Sequence, residues 1–207
     1  MQTHETLLFT ATEAAVLTRL SVKAVNNAID KKTVPATTGR RAGQATRLLD
    51  LRALMSLALE RRLADRMVPG LRRELFDALP NAKRSTVSLE GGLIKVDLRE
   101  PRRELAAALR ELRRARQLVV TDPDILGGDP VFRSTRIPVH VIASQLEGGE
   151  AEASIREAYP RLTAEMVRLA PLYAAAYPAR GRPRTRSWHG AAPVRRIRRK
   201  LAAAAAG

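Results

Sequence analysis

Apolar positions along this chain fall mostly at helical spacing, broken by a few well-marked turns. Thr10 precedes the first periodic segment and Glu13 follows three residues later. In that pairing each side chain satisfies the other residue's free backbone N–H, so a short helix is predicted over 11–17. Thr18, Arg19 and Leu20 make a tight turn, and Ser21 is placed to cap a second helix over 22–30. On that helix Val22, Val25 and Ile29 share one face, while Lys23, Asn26, Asn27 and Asp30 fall largely on others. Val34-Pro35 ends the segment. Residues 36–44 hold Gly39-Arg40-Arg41 and Gly43, a turn with two arginines between short extended pieces. Asp50 caps a longer helix whose apolar stripe is Leu51, Leu54, Met55, Ala58, Leu59 and Leu63. Pro69-Gly70 breaks it, and another helix is expected over 71–79.

Pro80-Asn81 is the best candidate boundary, because the period then changes. Val87 and Leu89 alternate with polar neighbours, Glu90-Gly91-Gly92 is a turn, and Ile94, Val96 and Leu98 alternate again. This predicts a β-hairpin. Pro101 can open the next helix, with Leu105, Leu109 and Leu112 on its apolar side and Arg110, Arg113, Arg114 and Arg116 on its surface. Leu118-Val119-Val120 is strand-like, and 121–138 reads as irregular. Helical pieces follow at 139–146, 151–159 and 164–177, the last capped by Thr163. From Pro178 onward Pro, Gly and Arg replace the periodic pattern, and most of 178–207 is expected to be disordered when alone. The predicted fold class is mainly α. A (winged) helix-turn-helix domain spans 1–80, and a β-hairpin with a basic helix connects over 81–120. A small helical domain of helix-turn-helix type follows over 121–177, and then the basic tail, 178–207.

Charge sharpens this division. The chain of 207 residues has a formal net charge of +16. Residues 1–120 carry 23 Lys/Arg against 13 Asp/Glu, 121–177 carry 5 against 8, and 178–207 carry 9 against none. Such basic ends attract phosphate backbones through counterion release, and equally an anionic membrane or an acidic protein. Arginine from a GC-rich genome accounts for part of the excess. The absence of cysteine removes disulfides, Cys-ligated zinc and thiol catalysis. No stretch approaches the roughly 20 apolar residues of a membrane span, and the start lacks the pattern of a signal peptide. A cytoplasmic location is expected.

Two short capped helices joined by a three-residue turn make a helix-turn-helix, or else a plain αα-hairpin with no ligand. In a DNA-reading version the start of the second helix enters the major groove. Those positions are Ser21, Val22, Lys23, Asn26 and Asn27, with Lys31 further along. Asn can pair with adenine through two hydrogen bonds, and Lys can reach guanine. Arg40 and Arg41, on their glycine-flanked turn, are candidates for phosphate or minor-groove contact. Phe9-Thr10-Ala11-Thr12-Glu13-Ala14-Ala15 followed by Leu20-Ser21-Val22-Lys23-Ala24-Val25 resembles MerR-type regulators and their excisionase-like relatives. The resemblance implies a homodimer on two DNA half-sites.

Residues 121–139 and 148–163 carry four spaced turn motifs. They are Gly127-Gly128-Asp129-Pro130-Val131, then Arg133-Ser134-Thr135-Arg136-Ile137-Pro138-Val139, then Gly148-Gly149, then Tyr159-Pro160-Arg161-Leu162-Thr163. In order and spacing they resemble the antitoxin family known as the domain of unknown function number 433, which includes VapB-type antitoxins. Ser134 departs from it where glycine is usual, and since serine tolerates positive φ less well, a slightly different backbone is expected there. The hairpin and basic helix at about 86–117, and the tail with Trp188, also resemble longer members. The resemblance implies a small domain of helix-turn-helix type and, as partner, a PIN-like ribonuclease toxin with metal-binding carboxylates. It also implies an antitoxin that inhibits this toxin and represses their shared operon.

A physical mechanism for inhibition follows from the tail. Arg180, Arg182, Arg184 and Arg186, stiffened by Pro183 and anchored by Trp188, suit an acidic pocket, because Arg pairs with carboxylates in bidentate fashion. The alternative is a solvated basic tail that adds nonspecific DNA affinity, and the cluster from Arg195 to Lys200 suits either role.

The remaining chemistry is sparse. Asp122, Asp124 and Asp129 lack the other ligands of a calcium loop and are expected to cap turns. His4, His140 and His189 show no ligand spacing with one another, and no serine has a nucleophile's context. No enzyme activity, metal or cofactor is expected. The rivals to an antitoxin are a stand-alone regulator and a nonspecific nucleic-acid-binding protein.

Overall fold

The computed structural model describes residues 7–41, 43–79 and 85–179. It is mainly helical, with small antiparallel sheets. Arg180, Arg182, Arg184, Arg186 and Trp188, the cluster from Arg195 to Lys200, and Pro80-Asn81 lie outside the described residues.

The front begins with β1 (Phe9–Thr10), α1 (Ala11–Thr18) and α2 (Val22–Asp30). Thr10 and Glu13 form the reciprocal cap of α1, and Ser21 Oγ accepts the Ala24 N–H at 3.1 Å to start α2. Then come β2 (Thr37–Arg41) and β3 (Gln44–Leu49), paired antiparallel with Thr38 opposite Arg47 and Arg41 opposite Gln44. β1 adds to the other edge of β3, Phe9 opposite Leu49. Asp50 caps α3 (Leu51–Leu63) by accepting the Ala53 N–H at 2.8 Å. α4 spans Pro69–Ala78. Pro69 therefore opens α4 in the first turn, where its missing N–H costs nothing, two residues before the expected start.

β4 (Thr86–Leu89) and β5 (Ile94–Asp97) form the expected hairpin. α5 (Arg99–Gln117) starts ahead of Pro101, which sits inside its first turn. β6 (Val119–Val120) pairs with β7 (Val131–Phe132), so the stretch expected to be irregular contains a strand. α6 (Val139–Glu147), α7 (Glu152–Ala158) and α8 (Ala164–Ala176) close the described chain.

Three apolar clusters organise these elements, and they do not follow sequence order. One gathers Phe9, Ala14, Leu17, Val25, Leu49, Leu54 and Leu57 of the front with Leu105 and Leu112 of α5 and Ala176 of α8. A second lies between α3, α4 and the hairpin, around Leu59, Leu75, Leu89 and Leu98. The third fills the back, around Phe132, Ile142, Ile155 and Val167. α5 and the end of α8 thus complete the core beneath α1.

One buried polar contact fixes that closure. Glu13 is 1% exposed; its carboxylate accepts the Thr10 N–H and, at 2.7 Å, the Tyr177 hydroxyl. Thr12 Oγ1 donates to the Ala176 carbonyl at 2.8 Å, which satisfies an orphan acceptor at the end of α8. The Arg116 guanidinium lies 5.9 Å from the centre of the Tyr177 ring. Burial, then the bond to Glu13, pushes the Tyr177 hydroxyl well above the usual range.

Candidate nucleic-acid interface

The turn between α1 and α2 is held by backbone bonds. Arg19 adopts left-handed φ of 57° and closes α1 through its N–H, and the Leu20 N–H reaches the Ala15 carbonyl at 3.0 Å. Val25, fully buried, pins α2 beneath α1. The other arc carries Lys23, Asn26, Asn27 and Asp30, and Val22 lies exposed at the helix start. Ser21, Val22, Lys23 and Asn27 are exposed and Asn26 is half-buried. An exposed valine beside a lysine and an asparagine on the first turns of a helix can meet base edges.

Arg47, on β3, was not a candidate in the sequence, yet it organises this face. Its guanidinium pairs with Asp30 and donates to Asn26 Oδ1 at 3.0 Å. It neutralises the acid on the outer arc of α2 and ties the hairpin to the helix. Asn26 thereby has one acceptor site engaged, while Asn27 stands open. Nothing in the sequence marked Arg47, because its partners lie 17 and 21 residues away.

The hairpin itself has one backbone-controlled point. A Cβ on Gly39 would stand 2.4 Å from Leu48 Cδ1, so a side chain there would have to displace the tip of Leu48. Arg40 is exposed at the tip, opposite Ala45. Arg41 is spent locally, donating from Nη2 to the Leu8 carbonyl at 2.7 Å. Lys31 caps the far end of α2, away from the first turn, and lines a cleft with Lys32, Arg73 and Phe76.

The back unit also joins two helices through a turn, α7 and α8, but the start of its second helix carries an acid. Glu165, in the first turn of α8, receives Arg114 of α5 through two bonds of 2.8 Å, and Arg168 meets Glu111 at 3.3 Å. An acidic first turn repels a phosphate backbone, and these exposed ion pairs tie it to α5.

The turn motifs of the back unit build its frame. The Val139 N–H reaches the Pro130 carbonyl at 3.0 Å and the Phe132 N–H reaches Ile137 at 3.0 Å, while the Leu162 N–H returns to Tyr159 at 2.9 Å. Thr135 Oγ1 donates to Phe132 and accepts from the Ile137 N–H. Arg133 Nε donates to the Gln117 carbonyl at 3.0 Å, and Arg136 and Pro160 remain exposed. Gly127 and Gly128 take positive φ. Ser134 does too, at 63°. The backbone there lies in the left-handed region that favours glycine. Asp122 Oδ1 accepts the Asp124 N–H at 3.0 Å and caps its turn. Burial holds His140 below the usual imidazole range, with Asp129 opposing the shift.

Among the described residues no group of three His, Asp or Glu is placed to hold a metal ion. No described helix is long and apolar enough to cross a membrane.

Residues 119–174 match the family described as protein of unknown function (DUF433). The chain is 36% identical over 185 residues to the uncharacterized protein y4eO of Sinorhizobium fredii (strain NBRC 101917 / NGR234), covering 84% of this chain and 83% of that one. The crystal structure of Rv2018 from Mycobacterium tuberculosis aligns over 79% of this chain and 96% of its own, at 16% identity and a TM-score of 0.30, a likeness too loose to bear on this fold. The chain belongs to one family with y4eO, and residues 119–174 are its DUF433 region.

Proposed function

We propose that this protein is a DNA-binding antitoxin, whose front reads an operator and whose back and tail neutralise a PIN-like ribonuclease toxin. The observation that carries the DNA half is the open first turn of α2, with Ser21, Val22, Lys23 and Asn27 exposed beside a hairpin that presents Arg40. This is a winged helix-turn-helix of MerR or excisionase kind, acting as a homodimer on two half-sites. Arg47 supports it by removing the negative charge of Asp30 from the reading face. The acidic first turn of α8, tied to Arg114, supports the front, rather than the back, as the reader. The toxin half rests on the turn motifs of the back unit together with the arginines of the tail.

The test has two arms. The full chain is titrated onto DNA from upstream of its own gene at several salt concentrations, and it is co-expressed with the product of the adjacent gene. Sequence-preferring, salt-dependent binding is expected, with rescue of growth and co-purification of a tight complex. Specific DNA binding without any toxic neighbour favours a stand-alone regulator. Binding without sequence preference overturns the operator reading.

A further inference from the structure

Among the described residues the β4–β5 hairpin is a two-stranded sheet, so each strand keeps one outer edge. β4 lies against α4, and its inward residues Val87 and Leu89 are 5% and 1% exposed. On the same face of β5, Ile94 and Val96 are only half-buried. The apolar face thins out toward the β5 edge. Leu93, just before that strand, is 88% exposed. Open edge amides beside incompletely covered apolar side chains are what an added strand covers.

We propose that β5 pairs antiparallel with β5 of a second copy, about a two-fold axis through Val96. This deepens the homodimer of the proposed function and rests on it. The register follows from two physical constraints. Side chains alternate faces, so inward residues must meet inward residues, which leaves an axis through Ile94, Lys95, Val96 or Asp97, and one through Ile94 would set Lys95 against Leu93, outside the strand. An axis through Lys95 sets lysine on lysine, and one through Asp97 sets aspartate on aspartate. An axis through Val96 sets Lys95 of each copy opposite Asp97 of the other, a complementary pair made twice.

The result is a four-stranded sheet whose inward face runs on across the axis, with Val96 against Val96. In the same register the exposed Leu93 of each copy lies just beyond the paired segment, next to the start of the other copy's α5. The exchange is mutual, as a two-fold contact requires. Asp97 already holds Arg99 through bonds of 2.7–3.2 Å, and its side chain is 50% exposed, so a second cation has access.

The full chain has no cysteine, so Val96→Cys places one thiol at the axis. Residues directly opposite in an antiparallel pair stand ~4.5–5.5 Å apart at Cα, within disulfide reach. Sedimentation is expected to show a wild-type dimer. Val96→Cys should convert to a covalent dimer under mild oxidant, while Ser88→Cys, exposed on β4, should not. Lys95→Glu should weaken the dimer about tenfold or more, and adding Asp97→Lys in the same chain should restore it. A wild type that is monomeric at micromolar concentration overturns both the dimer and this interface. A dimeric wild type in which Val96→Cys crosslinks no better than Ser88→Cys overturns the β5 pairing alone. The crosslink is read independently of the charge variants, so poor folding of one of those does not blur the result.

Discussion

Tyr177→Phe isolates the contact that closes the chain on itself. The substitution removes one hydroxyl and leaves the ring on its neighbours Tyr173 and Arg116. The bond lost is 2.7 Å long and ends on a carboxylate that is 1% exposed, so no water replaces the missing donor. Hydrogen bonds to charged groups contribute ~1.5–3 kcal/mol, and a stranded buried acceptor costs a similar amount, so about 2 kcal/mol is expected. In a domain of this size that lowers the melting temperature by roughly 4–8 °C. The assay is thermal and urea unfolding followed by far-UV circular dichroism, on Tyr177→Phe, Glu13→Gln and the pair. Contact between the two predicts a coupling of ~1–2 kcal/mol in the double-mutant cycle. Additive effects, or a loss below ~0.5 kcal/mol for Tyr177→Phe, would refute the reasoning, because the hydroxyl would then be exchanging a protein partner for water.

Three further outcomes are expected. Ser134→Gly should raise stability by about 0.5–1 kcal/mol in urea unfolding, since a non-glycine residue at φ of 63° carries strain that glycine lacks. Lys23→Ala and Asn27→Ala should each cost ~1–3 kcal/mol of discrimination between operator and altered sites, whereas Arg40→Ala should weaken all sites alike and lower the slope of log affinity against log salt by about one. Because burial depresses the His140 pKa, the unfolded chain binds more protons than the folded one between the lowered value and the usual ~6.5. Stability should therefore fall as pH drops through that window, and His140→Asn should flatten the fall in melting temperature.

The helix starts were legible because their signals are local. Thr10, Ser21, Asp50 and Thr163 each bond an N–H three residues away, which spacing alone reveals. β1 and β7 were not, because two residues such as Phe9-Thr10 or Val131-Phe132 become a strand only when a distant partner arrives. The exposed face of α2 could be read from its period, but the engagement of Asn26 by Arg47 and of Arg41 by Leu8 could not. Arginine reaches far, and its choice of acceptor is settled by tertiary placement. Sequence order likewise suggested modules in series, whereas Leu105, Leu112 and Ala176 fill the core under α1.

That shared core bears on how the protein is made. Glu13 leaves the ribosome 164 residues ahead of Tyr177, an interval of roughly 8–30 s at ordinary elongation rates. During that time the first helix lacks Ala176 of its core and the donor for its buried acid. The front therefore lacks its last core contacts while synthesis continues. A truncated product that lacks the end of α8 would leave the buried Glu13 without the Tyr177 hydroxyl. Translation thus completes the core of the front only when the end of α8 has emerged.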